Sequence, residues 1–161
     1  MSTNKFQHRP KQPSNDFLSL FWYNLFMKLY HGSKHNFEKI KNNPERSGNL
    51  DNSLEKQNLN GIYLTPNYEF AIVMASRPYG HNHIDTDQKI AEFENFNLFN
   101  PEQDIFIYTF DSKKILTKNL EYIDNLQYVV KGENELIPIE KESLKAKEIL
   151  KYYKIQPFLI K

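Results

Sequence analysis

Two short apolar runs, each ending in an unusual chemical step, constrain this chain more than any other feature. The first is Leu29-Tyr30-His31-Gly32-Ser33 and the second is Gly61-Ile62-Tyr63-Leu64-Thr65. Both read as buried strands. The first delivers an imidazole, a bare backbone and a hydroxyl to one strand end. In the second, Tyr63 points to the face opposite Ile62 and Leu64, because side chains alternate along a strand. Taken singly, each admits an ordinary structural reading: a strand that stops at a glycine turn, and a half-buried core tyrosine. In order, with apolar flanks and a helix after the second, they are far more specific.

The rest of the chain supplies a frame for them. Pro66 suits the first turn of a helix that Thr65 would cap, and Phe70, Ala71, Val73 and Met74 carry helical spacing through Ser76. Further helices are expected near 36–41 and 88–96, and a surface helix over 140–154 with Leu144, Ile149, Leu150 and Tyr153 inward. Strands are expected at 105–110, 128–131 and 136–139. Residues 42–60 are rich in Asn, Ser and Gly and read as a long loop, of the kind that is usually functional or disordered. A length of 161 residues suits one domain with a real core. The fold class is α+β, expected as two small, mostly antiparallel β-sheets with flanking short helices. Residues 1–26 form an N-terminal extension with a short aromatic helix over 17–26, and residues 27–161 form the single domain.

Composition removes several function classes. The 21 basic and 20 acidic side chains nearly cancel, so no broad nucleic-acid footprint is present. Arginine occurs only as Arg9, Arg46 and Arg77, which disfavours a mechanism with several bidentate phosphate clamps. The chain has no cysteine, so disulfides, thiolate nucleophiles and Cys-ligated zinc are out. Only His31 and His35 stand four residues apart, and Gly32 follows the first where a zinc protease helix carries glutamate, so that motif is absent. His81-Asn82-His83 lacks the flanks of a metal site and reads as a solvated loop, so no metal is expected. No run of about twenty apolar residues exists to span a bilayer. The apolar stretch 17–27 is broken by Asn24 and followed by no small-residue cleavage site, so no signal peptide is expected. The expectation is a monomer that is cytoplasmic or delivered as an effector or toxin.

Together the two motifs resemble those of the ADP-ribosyltransferase superfamily, in the His-Tyr-Glu branch that holds the poly-ADP-ribose polymerases and diphtheria toxin. The similarity covers residues 28–76 well and 105–139 loosely. It implies an ADP-ribosyltransferase-like fold and NAD as substrate, with nicotinamide as leaving group. It also implies roles. Gly32 would hold the carboxamide through its backbone, since only glycine lets a backbone approach a ligand so closely. His31 would hydrogen-bond the adenosine ribose, Ser33 would support the nicotinamide-side ribose, and Tyr63 would stack on the nicotinamide ring. Thr65 and Phe70 complete the implied cofactor-binding set, Phe70 being the nearby aromatic where the polymerase-like members supply a second ring from the following helix.

The third motif departs from the pattern. A strand opening on glutamate is expected, and this chain offers Gln127-Tyr128-Val129-Val130. Gln127 would then stand where the catalytic carboxylate belongs. An amide can hydrogen-bond a ribose hydroxyl but cannot oppose the positive charge that grows on that ribose. Losing one preorganised electrostatic partner costs on the order of 3 kcal/mol, or about a hundredfold in rate. An alternative register uses Glu133 and Glu135 as in the toxin-type Glu-x-Glu segment. Lys131-Gly132-Glu133-Asn134 also reads as a hairpin turn that would leave both carboxylates in solvent, and the Gln127 register is favoured.

The expected activity is therefore mono-ADP-ribosyl transfer from NAD to an unknown acceptor: a protein, a nucleic acid or a small molecule. The alternative is a catalytically weak or silent module of the same fold that binds NAD, ADP-ribose or a protein partner. A tRNA 2′-phosphotransferase, which shares fold and NAD site, expects more His and Arg around its phosphate than this chain holds.

Overall fold

The protein is described here by a computed structural model, which covers residues 27–42, 61–115 and 119–158. The aromatic segment 17–26 and nearly all of the expected loop 42–60 lie outside the described residues. What is described is mixed and strand-rich, with several small sheets that are antiparallel in all but one pairing.

The centre is β6 (Asp104–Asp111), whose alternation places Ile105 and Ile107 on one face and Phe106, Tyr108 and Phe110 on the other. Each set enters a different core. Ile105 and Ile107 pack with the helix α1 (Tyr68–Ser76), while Tyr108 and Phe110 pack with Leu29, Ile62, Leu64, Tyr128 and Val130. The strand β1 (Lys28–Ser33) runs antiparallel along one edge of β6, with Leu29 opposite Phe110 and Gly32 opposite Ile107. A second sheet joins β3 (Ile62–Leu64), β8 (Gln127–Val130) and β7 (Leu120–Asp124), with β8 in the middle. One bridge, Tyr30 to Thr65, ties the two sheets together.

Smaller pairings complete the frame. β2 (Ile40–Lys41) pairs with β9 (Glu135–Leu136). β4 (Asn82–Asp85) pairs antiparallel with β5 (Ile90–Phe93), and β11 (Lys154–Pro157) adds to β5 in parallel. The expectation of two sheets is thus corrected to four among the described residues.

Three expected helices are strands or loops instead, each for a tertiary reason. Residues 140–154 form β10 (Glu140–Lys145), then a 3₁₀ turn (Ala146–Lys151), then β11. β10 closes the far edge of β6, whose backbone groups would otherwise be unpaired beside a buried face. Its charged side chains find cross-sheet partners, such as Asp104 for Lys145 at 2.7 Å. In 88–96, Ala91 and Phe93 are buried on alternate positions, which is strand spacing, after a turn in which the Asp85 carboxylate accepts from the N–H groups of Asp87 and Gln88. Segment 36–41 is held open by Tyr108, as described below. The helix α1 itself begins later than expected. Asn67 is its cap, accepting from the Phe70 N–H at 3.0 Å, while the Thr65 hydroxyl accepts from the Asn67 N–H. Of His81-Asn82-His83, expected as a loop, His81 precedes β4 while Asn82 and His83 begin it.

Candidate functional site

The backbone of β1 defines the site. In an antiparallel ladder the N–H and C=O of one residue point to the same side, and the side alternates along the strand. Tyr30 donates its N–H to Thr65 at 2.7 Å and accepts the Thr65 N–H at 2.8 Å, so its backbone groups face away from β6. The same must hold for Gly32, two residues on. In the register of that bridge, Gly32 and Tyr63 would be the next pair to exchange hydrogen bonds. They do not exchange them. The Nδ1 of His31 lies 3.0 Å from the Tyr63 carbonyl oxygen and takes that acceptor instead. The imidazole thus stands in a split between β1 and β3, and no described residue closes the N–H and C=O of Gly32 across it.

The chemistry of His31 follows. A carbonyl oxygen only accepts, so Nδ1 carries the proton and Nε2 of the neutral ring is an acceptor. Burial pushes the imidazole below its ordinary value of 6.5, against a smaller upward pull from the Tyr63 carbonyl. The ring is therefore neutral at physiological pH, with its acceptor nitrogen turned from Tyr63. Tyr108 lies behind it, ring centroids 6.3 Å apart.

The pleat sorts the other candidates by face. Tyr63 is half-buried and lies opposite the buried pair Ile62 and Leu64, as expected. His31 and Tyr63 therefore meet through the tyrosine carbonyl rather than ring to ring. Tyr63 pairs with Val129 and Leu64 with Tyr128, so Gln127 comes next in register, across from Thr65. Gln127 is half-buried at the head of β8, and by alternation it shares the Tyr63 face. Gly32 belongs to that face too. Ser33 ends β1, and its hydroxyl oxygen accepts the His35 N–H at 3.0 Å, shaping the exit of the strand. Thr65 and Phe70 are each 5% exposed and pack inside, Thr65 at the bridge and Phe70 in the first turn of α1.

Glu133 and Glu135 go elsewhere. Glu133 accepts from the Asn119 amide at 3.0 Å, next to Gly132, whose φ of +76° marks the turn. Glu135 is exposed on β9 and pairs with Lys39 at 2.6 Å, which holds its carboxyl below the usual range. The two carboxylates share no partner.

Gly32 has a second duty. A Cβ built on it would lie 1.9 Å from the Ala71 carbonyl oxygen and 3.1 Å from the Ala75 Cβ. The absence of a side chain is what lets α1 lie directly on β1.

Sequence reasoning missed Tyr108. This fully buried ring donates its O–H to the His35 carbonyl at 2.8 Å and accepts the Phe37 N–H at 2.6 Å. It holds the segment after Ser33 in an open path where a helix was expected. The alternation in Asp104–Asp111, which sends Phe106, Tyr108 and Phe110 to the His31 face, was the available signal.

Among the described residues, no group of three or more His, Cys, Asp or Glu side chains is arranged to hold a metal ion. No described helix is long and apolar enough to cross a membrane. Comparison with protein-family models, with curated proteins and with solved structures found no match.

Proposed function

We propose that this protein is an NAD-dependent mono-ADP-ribosyltransferase of ADP-ribosyltransferase-like fold. The observation that carries the reading is the split between β1 and β3, where His31 takes the Tyr63 carbonyl and the Gly32 N–H and C=O face the gap. A primary carboxamide carries one donor group and one acceptor. It therefore complements a single residue's N–H and C=O presented side by side. NAD supplies a glycosidic C–N bond whose cleavage releases nicotinamide and leaves an electron-poor ribose carbon.

The residues fit that chemistry in four ways. Gly32 binds the carboxamide and fixes the plane of the nicotinamide. Tyr63, half-buried on the same face, stacks on the ring, which is worth about 0.5–1.5 kcal/mol beyond simple burial. The neutral His31 accepts a ribose hydroxyl at Nε2. Gln127, on the Tyr63 face, hydrogen-bonds the nicotinamide ribose. It supplies no negative charge, which argues against polymer synthesis and for slow, single transfer. Incubation of the purified protein with labelled NAD and a cell lysate tests the reading. Nicotinamide release with label transfer is the expected result, and the absence of both rejects the enzyme.

The amide at Gln127 favours one second reading, a module that binds NAD or ADP-ribose without turnover. In that case the wild type releases no nicotinamide and Gln127→Glu creates the activity. A wild type that turns over NAD excludes it.

A further inference from the structure

Beside the split stands a pair of cations with no anionic partner among the described residues. Lys34 follows Ser33 at the exit of β1, and Arg77 caps the C-terminus of α1. The close approach of Gly32 to Ala71 and Ala75 brings these two ends together. Lys34 reaches across to the segment after the helix, with its Nζ 5.1 Å from the centre of the Tyr79 ring. Arg77 is half-buried, and its charge adds to burial in pushing the Lys34 ammonium down. Elsewhere, Lys39, Lys89, Lys131, Lys141, Lys145, Lys147 and Lys151 all pair with carboxylates. Among the described residues neither Lys34 nor Arg77 does. Burial also pushes the Arg77 guanidinium down.

Two like charges, partly withdrawn from water and held together, are unfavourable unless something offsets them. The C-terminal carbonyls of α1 offset part of this. An anion would offset the rest. Position narrows its identity. Lys34 lies two residues beyond Gly32, in the bend that follows β1, so their backbones are at most about 7 Å apart, and the lysine side chain adds reach of the order of that between a nucleotide's base and its phosphate. Guanidinium and ammonium together suit phosphate oxygens, the first as a fork and the second as a point charge.

We propose that Lys34 and Arg77 form a diphosphate subsite continuous with the Gly32–Tyr63 split. As a subsite for the dinucleotide it rests on the NAD reading above; as an anion site it does not. The cations hold the phosphates of the ligand whose base lies at Gly32, and Tyr79, 75% exposed, flanks the entry.

Isothermal titration of the wild type, Lys34→Gln, Arg77→Gln and Arg77→Lys with three probes tests this. The probes are NAD, nicotinamide riboside (which lacks phosphate) and inorganic pyrophosphate. The expected result is that Lys34→Gln and Arg77→Gln weaken NAD about tenfold or more, the range of a lost charge-assisted hydrogen bond. Riboside binding is unchanged, Arg77→Lys recovers part of the loss, and pyrophosphate competes with NAD. Pyrophosphate binding that the substitutions abolish, in a protein that binds neither NAD nor riboside, supports the anion site and removes the NAD reading. NAD binding that Lys34→Gln leaves intact overturns the subsite while sparing the NAD reading. Equal weakening of NAD and riboside also overturns it. If no probe binds the wild type, both proposals fail.

Discussion

Replacing Gly32 with alanine isolates the structural duty of this residue from its proposed ligand-binding one. The added Cβ would lie 1.9 Å from the Ala71 carbonyl oxygen, and real Cβ atoms essentially never come within 3.0 Å of such an atom. Relief therefore separates strand and helix by roughly 1 Å. The obstacle is helix backbone, so no side-chain rotation relieves it. Ala71, Ile72 and Val73 on that helix are at most 1% exposed. A gap of about 0.5–1 Å forfeits a quarter to a half of each dispersion contact along such an interface. Overpacking strain in a well-filled core runs about 1–3 kcal/mol, and a backbone obstacle belongs at the upper end. Each kcal/mol lowers Tm by about 2–4 °C in a chain near this size. Thermal unfolding followed by circular dichroism should show Gly32→Ala melting roughly 6–12 °C below wild type, with a lower urea midpoint and an unchanged slope. Gly132→Ala serves as a control. Its Cβ would meet nothing closer than 3.8 Å, and only its φ of +76° resists, at about 1 kcal/mol. If Gly32→Ala melts with the wild type, the helix contact does not require the glycine and the packing argument fails.

Other outcomes follow from the same geometry. Tyr108→Phe leaves the Phe37 N–H and the His35 C=O without their buried partner. It should destabilise the fold by about 1–3 kcal/mol in urea titration and speed amide exchange at Phe37, and an unchanged exchange rate would contradict the strut role. The lowered pKa of His31 makes its contribution to stability complete above pH 6.5, where folded and unfolded states are both neutral. That contribution declines as pH falls below 6.5, because the unfolded chain takes up the proton first, with a slope no steeper than about 1.4 kcal/mol per pH unit. Denaturant titrations at pH 7.5 and pH 5 should show this loss in the wild type and less of it in His31→Asn; equal losses would assign the titration to other groups. Gln127→Glu should raise nicotinamide release by up to about a hundredfold, while Glu133→Gln and Glu135→Gln leave it unchanged; a loss in either of the latter would favour the alternative carboxylates.

The clearest strands were legible because burial leaves a period in the residues themselves. Leu29, Ile62, Leu64 and the alternating run of β6 are apolar wherever they face a core, and no other reading accommodates them. Misread segments were those whose local pattern is neutral and whose state depends on a distant partner. Glu140–Lys145 has a helix-forming composition, yet becomes a strand because β6 needs its second neighbour. The path after Ser33 is set by Tyr108, 73 positions along the chain from the His35 it binds.

The candidate site divides along the same line. Linear order alone determined the chemical inventory: an imidazole, a glycine and a serine at one strand end, a tyrosine facing away from its apolar neighbours, and an amide where a carboxylate was expected. Tertiary structure decided which of these groups meet and by which atoms. The Tyr30–Thr65 bridge aligns β1 and β3, His31 then takes the Tyr63 carbonyl, and the backbone of Gly32 is left facing the split between the two strands. It likewise parted Glu133 from Glu135 and brought Lys34 toward Arg77. The physical reason is that the direction of a backbone hydrogen bond and the balance of a charge depend on neighbours brought close by folding, which a pattern read along one strand does not contain.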